Sequence, residues 1–330
     1  MTGTPSSSAA ALPAPARPLG MRLAAWALPL ILLLFAIFFS LAEPQIFPTT
    51  RTIVTILRTE SVAAILAIAL VFPLVVGKFD LSVGAVLGLG AILTTGLPSL
   101  QGLPLLPSIA IAIAACGTIG LVNGLLVARL GVTSLVATLG SSVIVTGCVL
   151  WYTGGNVLYT GIPRDLPRLA QADLAGIPLP AIFLAIVAIA AWYVLEATPL
   201  GRYFHAVGGS AEAARLSGLK VERLTIIAFV ISGLLAGFAG VLQSAQLGSG
   251  NPNVGPPFLL PAFASAFLGA TAVRIGTFNV WGTVIAVFTV AVGINGLQLM
   301  GVEFFVGPIF QGAALLAAVI ATRQLMRKRS

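Results

Sequence analysis

Few side chains in this 330-residue chain could carry covalent chemistry. There is one histidine, His205, there are two cysteines, Cys116 and Cys148, and nine acids are scattered along the sequence. An integral membrane enzyme needs polar catalytic groups clustered near one interface, and one histidine with dispersed acids does not provide them. No G-x-x-x-x-G-K-[ST] phosphate loop is present, so the chain itself is not expected to bind ATP. Both cysteines lie in apolar segments and are expected as buried free thiols rather than a disulfide or metal set.

The spacing that does point to a mechanism lies in residues 198–223, TPLGRYFHAVGGSAEAARLSGLKVER. Thr198-Pro199-Leu200-Gly201 reads as a turn and helix start, and Gly208-Gly209 as a break. Ser210 is placed to cap a short helix from Ala211, with Glu212 favourable at its positive end. Ala213, Ala214, Leu216 and Leu219 are expected to form one small apolar face, and Gly218 to let the chain turn away. Such a helix suits a partner's groove; a solvated connector is the plainer alternative. His205 in the same loop is expected to make a packing or partner contact.

Other polar groups sit in or beside apolar runs. Asp80 stands at a helix start, where the helix dipole and Lys78 favour a carboxylate; a gating or pathway role is the alternative. Asn123, Asn295, Gln243 and Gln298 would be costly in lipid unless paired, so each either bonds a neighbouring helix or contacts a solute. Asp80, Ser82, Asn123 and Asn295 are the candidate translocation-path residues. Gly233, Ala236, Gly237 and Gly240 form small-xxx-small pairs suited to close helix packing.

These residues are embedded in an extremely apolar chain. Hydrophobic residues make up 58% and charged residues 8%, and mean hydropathy is +1.07. A soluble domain carries about 25% charged residues, so soluble enzymes, nucleic-acid-binding domains and disordered proteins are excluded. The runs are continuously apolar rather than alternating, which excludes an outer-membrane barrel. A membrane helix needs about 20 apolar residues. The sequence predicts ten, over 23–42, 60–76, 81–97, 105–128, 132–152, 179–197, 224–247, 258–272, 278–300 and 304–322. The third and eighth are short and rich in Gly or Pro, candidates for broken or re-entrant helices. Ser40-Leu41-Ala42 resembles a small-x-small cleavage site, but the long apolar run and the Ala/Pro-rich leader favour an uncleaved first helix.

With the N-terminus inside, the inner loops hold Arg17, Arg22, Lys78, Arg129, Arg202, Arg215, Lys220, Arg223, Arg274, Arg323, Arg327, Lys328 and Arg329, and the outer loops only Arg51, Arg58, Arg164 and Arg168. The positive-inside rule therefore puts both termini in the cytoplasm. The net charge of +8 is a topology signal and not a nucleic-acid footprint. Intramembrane acids are nearly absent, with Glu196 and Glu303 at edges, which weighs against a proton-coupled carrier. The outer loops 43–59, 98–104, 154–178 and 248–257 carry little charge. The resulting fold class is an all-α polytopic transmembrane bundle, arranged as a disordered tail (1–20), a permease domain (21–322, with the cytoplasmic loop 198–223) and a basic tail (323–330).

Residues 77–92 match 256–271 at Phe79/Phe258, Leu81/Leu260, Ala85/Ala264, Leu89/Leu268, Gly90/Gly269 and Ala91/Ala270. Asn123-Gly124-Leu125 is echoed by Asn295-Gly296-Leu297. The echoes pair span 3 with 8 and span 4 with 9. Five spans separate the partners, so the halves run oppositely, as in inverted-repeat transporters. A pathway is then expected between spans 2–5 and 7–10.

Several segments together resemble a known family. Glu212-Ala213-Ala214 followed by Gly218 looks like the EAA loop of ABC-importer permeases. Pro199-Leu200-Gly201-Arg202…Gly208…Glu212-Ala213-Ala214-Arg215-Leu216-Ser217-Gly218 resembles the ribose-type sugar permeases. So do Lys78-Phe79-Asp80-Leu81-Ser82-Val83-Gly84, Ser232-Gly233-Leu234-Leu235-Ala236-Gly237-Phe238-Ala239-Gly240, Ala137-Thr138-Leu139-Gly140 and Tyr152-Thr153-Gly154-Gly155. The motifs fall in the family's order over about residues 25–322. Two segments depart from it: Leu259-Leu260-Pro261-Ala262 stands where the family carries an acidic pair, and Phe278-Asn279-Val280-Trp281-Gly282-Thr283 where a Gly-rich turn is usual.

The resemblance implies the permease subunit of an ATP-binding cassette importer in the bacterial inner membrane, passing a monosaccharide or related small polar solute. It implies an ATPase with two nucleotide-binding modules that holds ATP and Mg, a periplasmic solute-binding protein, and a second permease chain, identical or paralogous. Glu212, Ala213, Ala214, Arg215, Leu216 and Gly218 would couple to the ATPase. The rival class is an ion-coupled secondary transporter, which has no need of an EAA-like loop.

Overall fold

The computed structural model describes residues 19–327, with side chains described for 25–320. Of the expected tail over 1–20, residues 1–18 lie outside the described residues while Leu19 and Gly20 begin the first helix; the side chains of Arg17, Arg22 and 323–330 also lie outside the described ones.

Thirteen helices are described. α1 (Leu19–Ala42), α2 (Thr50–Val75), α3 (Val83–Gln101), α4 (Leu105–Ala128), α5 (Ser134–Thr153), α7 (Leu179–Trp192), α10 (Val221–Leu247) and α12 (Val280–Leu299) follow the long apolar runs. With the π-helical turn Tyr193–Ala197 extending α7, these are eight helices long and apolar enough to cross a membrane. α11 (Leu259–Gly269), entered by a 3₁₀ turn at Pro256–Phe258, and α13 (Val306–Arg327) contain shorter apolar stretches. The chain is thus an all-α polytopic membrane protein. The short helices α6 (Asp165–Gln171), α8 (Pro199–Gly209) and α9 (Ala211–Leu216) lie between the long ones. Among the described residues the β-structure is a hairpin of β1 (Asp173–Leu174) and β2 (Ile177–Pro178), with an isolated bridge between Leu158 and Gly250.

Three sequence expectations need correcting. The third run is an unbroken 19-residue helix; only the eighth is short, at 11 residues. Residues 50–59 are the first turns of α2 and not loop. Thr49 caps them by accepting from the Thr52 amide (3.3 Å), and the Arg58 charge is met by Asp173 at 2.8 Å, so a charged residue can ride on the helix. Cys116 is buried as expected, whereas Cys148 is exposed on the outer face of α5; both thiols are free.

α2 forms the centre. Residues 62–76 are apolar on every side, which requires burial all round, and all but the half-buried Ala63 are buried. Around it the packing is reciprocal. α10 packs on α3 and α4 while α2 packs on α11 and α12; α3 packs on α5 while α11 packs on α13; and α2 and α10 pack on each other. Exchanging α2–α5 with α10–α13 turns each of these contacts into another of the set.

In lipid the helices gain no hydrophobic drive toward one another, so close van der Waals approach must hold them. The crossing of α10 over α3 and α4 is built for it. A Cβ on Gly233 would stand 2.5 Å from the Cys116 carbonyl oxygen, and one on Gly240 would strike the Leu87 carbonyl. At the start of α12, Asn279 accepts from the Gly282 amide (2.8 Å) and donates to the carbonyls of Gly269 and Ala272 (3.1 Å each). It thereby ties the end of α11 to the start of α12.

Candidate functional site

The 198–223 segment folds largely as its residues dictate. Thr198 caps α8 by accepting from the Gly201 amide (3.4 Å), α8 ends at Gly209, and Ser210 caps α9 by accepting from the Ala213 amide (3.2 Å). At the far end Gly218 takes φ +83°, a left-handed conformation open to glycine. Its amide donates to Arg215 O and that of Leu219 to Ala214 O, both at 3.0 Å, closing a Schellman motif.

The expected single apolar face does not form. Ala214 is buried, Leu219 is half-buried, and Ala213 and Leu216 face outward, Leu216 at 85% exposure. Successive helical residues are about 100° apart, so Ala214 anchors α9 while Glu212, Ala213, Arg215 and Leu216 form its outer surface.

α8 fixes this projection to the bundle. Phe204 is fully buried edge-to-face on Phe72 of α2, ring centroids 6.4 Å apart. A Cβ on Gly208 would strike the Val75 carbonyl at the end of α2. His205 points its Nε2 into the interior without a hydrogen-bond partner. Burial lowers its pKa, opposed by the Glu196 carboxylate and reinforced by Arg274; Glu196 and Arg274 pair directly across the α7 and α11–α12 ends.

Asp80, Ser82 and Asn123 come together in one sealed cluster. Asp80 is 1% exposed. Its Oδ1 accepts from Ser82 N (3.1 Å) and Ser82 Oγ (2.6 Å), and its Oδ2 from Ser232 Oγ of α10 (2.9 Å). Asn123 of α4 donates to Ser82 Oγ (2.9 Å) and leaves its own Oδ1 buried without a partner. The α2–α3 linker is further held by Ser134 Oγ accepting from Phe79 N and Thr138 Oγ1 from Leu81 N. The partners of Asp80 are therefore serines; among the described residues no ion pair joins it to Lys78, which lines a nearby cavity. Ser232 was not singled out as a polar partner. It lies 152 residues away in sequence, and only its place in a glycine-rich helix could have drawn attention to it.

Burial raises the Asp80 pKa, partly offset by the hydrogen bonds from Ser82 and Ser232. A carboxyl held above its unfolded pKa stabilises the fold fully below that unfolded value, about 4, and the contribution is lost as pH rises through the folded one. We expect the thermal midpoint of the purified chain to fall relative to Asp80→Asn across this window, because the amide keeps the shape without ionising. Parallel pH profiles for parent and variant would refute this.

Two cavity systems flank the sealed part of α2. One, of about 690 Å³, lies at the α8 end, between Leu74, Lys78, Phe79, His205, Gly208 and Phe278. At the opposite end an open cleft of about 460 Å³ runs between Gln45, Thr52 and Thr55 on one side and Asn295 and Leu299 on the other. Asn295, separate from the Asp80 cluster, also lines a deeper cavity of about 90 Å³ with Glu60, Ser265 and Gln311. Glu60 lies ten residues inside α2, an acid on a long apolar helix in addition to Glu196 and Glu303, the edge acids of the sequence reading. Gln243 is buried on α10 and Gln298 exposed.

A family model described as "Branched-chain amino acid transport system / permease component" matches residues 52–319. The chain is 34% identical over 293 residues to the ribose import permease protein of Escherichia coli strain K12, covering 88% of this chain and 90% of that protein. It is 33% identical over 298 residues to the D-allose transport system permease protein of the same strain, covering 90% and 91%. It is 28% identical over 343 aligned positions to the xylose transport system permease protein of Haemophilus influenzae strain Rd, covering 86% and 91%. No solved structure matches the chain.

Proposed function

This chain belongs to the branched-chain amino acid transport system permease component family, and from that premise we propose that it is the membrane-spanning permease subunit of an ATP-binding cassette importer for a monosaccharide. The relatives are named as permeases for ribose, allose and xylose. The observation that carries the assignment is α9, anchored by Ala214 and exposing Glu212, Ala213, Arg215 and Leu216. A capped, glycine-terminated two-turn helix tied to the central helix through Phe204 and Gly208 is the shape a coupling element needs. It presents a small convex surface to the groove of an ATPase with two nucleotide-binding modules, which holds ATP and Mg²⁺.

Ten spans with both termini in the cytoplasm account for the charge distribution, counting α11 and α13 with the eight longer helices. The reciprocal packing supports an inverted repeat of spans 2–5 and 7–10. Solute reaches the outer surface on a periplasmic binding protein, and a second permease chain completes the transporter. Asp80, Ser82 and Asn123 act as a positioning knot that holds the α2–α3 linker to α4 and α10.

Purification of the tagged chain in mild detergent, with mass spectrometry of its companions, tests this. A two-module ATPase is expected, and its recovery should fall on Ala213→Trp or Gly218→Val. A chain that purifies alone and moves sugar in vesicles without ATP would establish the secondary transporter instead.

A further inference from the structure

We propose that Glu60, Ser265, Asn295 and Gln311 form a solute-reading site inside the permease, at the inner end of the cleft between α2 and α12, that binds the vicinal hydroxyls of a monosaccharide. This rests on the importer assignment and its orientation, and adds to it a place where the membrane subunit itself recognises solute.

Four hydrogen-bonding side chains from four helices, α2, α11, α12 and α13, converge on one cavity of about 90 Å³. Each polar group in lipid is costly unless it has a partner or faces a cavity. Asn295 lines both this cavity and the open cleft of about 460 Å³, so one side chain borders the two. The approach follows one face of α2: Thr52, Thr55, Glu60 and Ala63 recur at intervals of three to five. α12 runs antiparallel beside it, from Leu299 at the mouth to Val287 at the floor. At 1.5 Å per residue the groove descends about 18 Å, more than half of a bilayer core of about 30 Å.

The chemistry fits a polyol. A carboxylate accepts from two adjacent hydroxyls, while the Asn and Gln amides both donate and accept and a serine hydroxyl does either. The site also lies between the two repeat halves, on the side where α2 meets α11–α13. The reciprocal junction, where α10 meets α3 and α4, is closed by glycine contacts, and there Asn123, the counterpart of Asn295, is consumed by Ser82. Asn295 instead donates only locally, to the Ala291 carbonyl (2.9 Å), with its side chain reaching the cleft.

The test uses the assembled transporter, with ATPase and binding protein, in proteoliposomes, with radiolabelled D-ribose, D-allose and D-xylose as probes. Glu60→Gln and Asn295→Leu are expected to lower uptake at least tenfold, while ATP hydrolysis stimulated by the binding protein stays within twofold of the parent. A structural lesion would lower both together. In a Cys116→Ser, Cys148→Ser background, Asn295→Cys is expected to react with a membrane-impermeant maleimide added from outside, and saturating sugar-loaded binding protein with ATP to slow that reaction. Uptake within twofold of the parent in both variants, parallel loss of uptake and hydrolysis, or an unreactive Asn295→Cys overturns the site while leaving the importer intact. A parent complex that takes up none of the three sugars overturns the importer assignment and this site with it. ATP-independent uptake driven by a pH gradient and abolished by Glu60→Gln would make Glu60 a proton carrier and equally overturn it.

Discussion

Ala213→Trp and Glu212→Lys are expected to abolish ATP-dependent sugar uptake while the chain still inserts and accumulates at the parental level. Both positions lie on the outer surface of α9 and neither packs into the bundle, so surface substitutions there cost the fold little. The burden falls on docking. An indole at Ala213 cannot enter a groove shaped for a methyl group. A lysine at 212 removes the acid that suits the positive end of the helix and reverses the charge presented to the partner. Loss of a central contact is worth about 2 kcal/mol or more, about 30-fold in affinity. The measurement pairs uptake in vesicles with co-purification of the ATPase. Ala214→Trp is the contrasting variant: Ala214 is 5% exposed and anchors α9, so this change should also lower the chain's own stability. Normal transport by Ala213→Trp would show that α9 is not the docking element.

Gly240→Val and Gly233→Val are expected to prevent accumulation of folded chain. A side chain at either position meets backbone, from Leu87 and Cys116 respectively, and backbone cannot rotate aside as a flexible side chain can. Overpacking costs about 1–3 kcal/mol where neighbours yield, and more where they do not. A domain is stable by only about 5–15 kcal/mol. Because α10 joins α3, α4 and α2, forcing it outward loosens three contacts together. Gly140→Val and Gly147→Val on α5 are the controls, since nothing lies within 4 Å of a Cβ at either. Fluorescence-detected size exclusion of solubilised membranes reads all four. A monodisperse Gly240→Val at parental yield would mean the crossing is looser than the packing shows.

Features set by neighbours in sequence were legible beforehand. The helix start at Thr198–Gly201, the Ser210 cap, the break at Gly208-Gly209 and the turn at Gly218 are local consequences of residue type, and the structure has each of them. Run length located α4 over Leu105–Ala128 to the residue. What escaped depends on distant partners. The first turns of α2 looked like loop because Arg51 and Arg58 interrupt the hydropathy, and only the fold brings Asp173 to Arg58. Glu60, just beyond that stretch, drew no notice in the sequence for the same reason. Lys78 stands beside Asp80 in sequence, yet the partners of Asp80 are Ser82 and the distant Ser232. The apolar face assigned to α9 failed because a two-turn helix has too few residues to define a stripe: composition could name small residues but not choose which one turns inward.

The ten residues of α2 between the two cavities, 64–73, are buried throughout and cover about 15 Å of helix. A barrier several residues thick is deeper than one sugar ring. Rotation of a single side chain cannot open it. Only displacement of whole helices can, and such motions take microseconds to milliseconds. The clock of transport is thereby written into the barrier. Leakage of sugar between strokes should be rare, because every passage needs the slow collective movement rather than a chance rotamer flip.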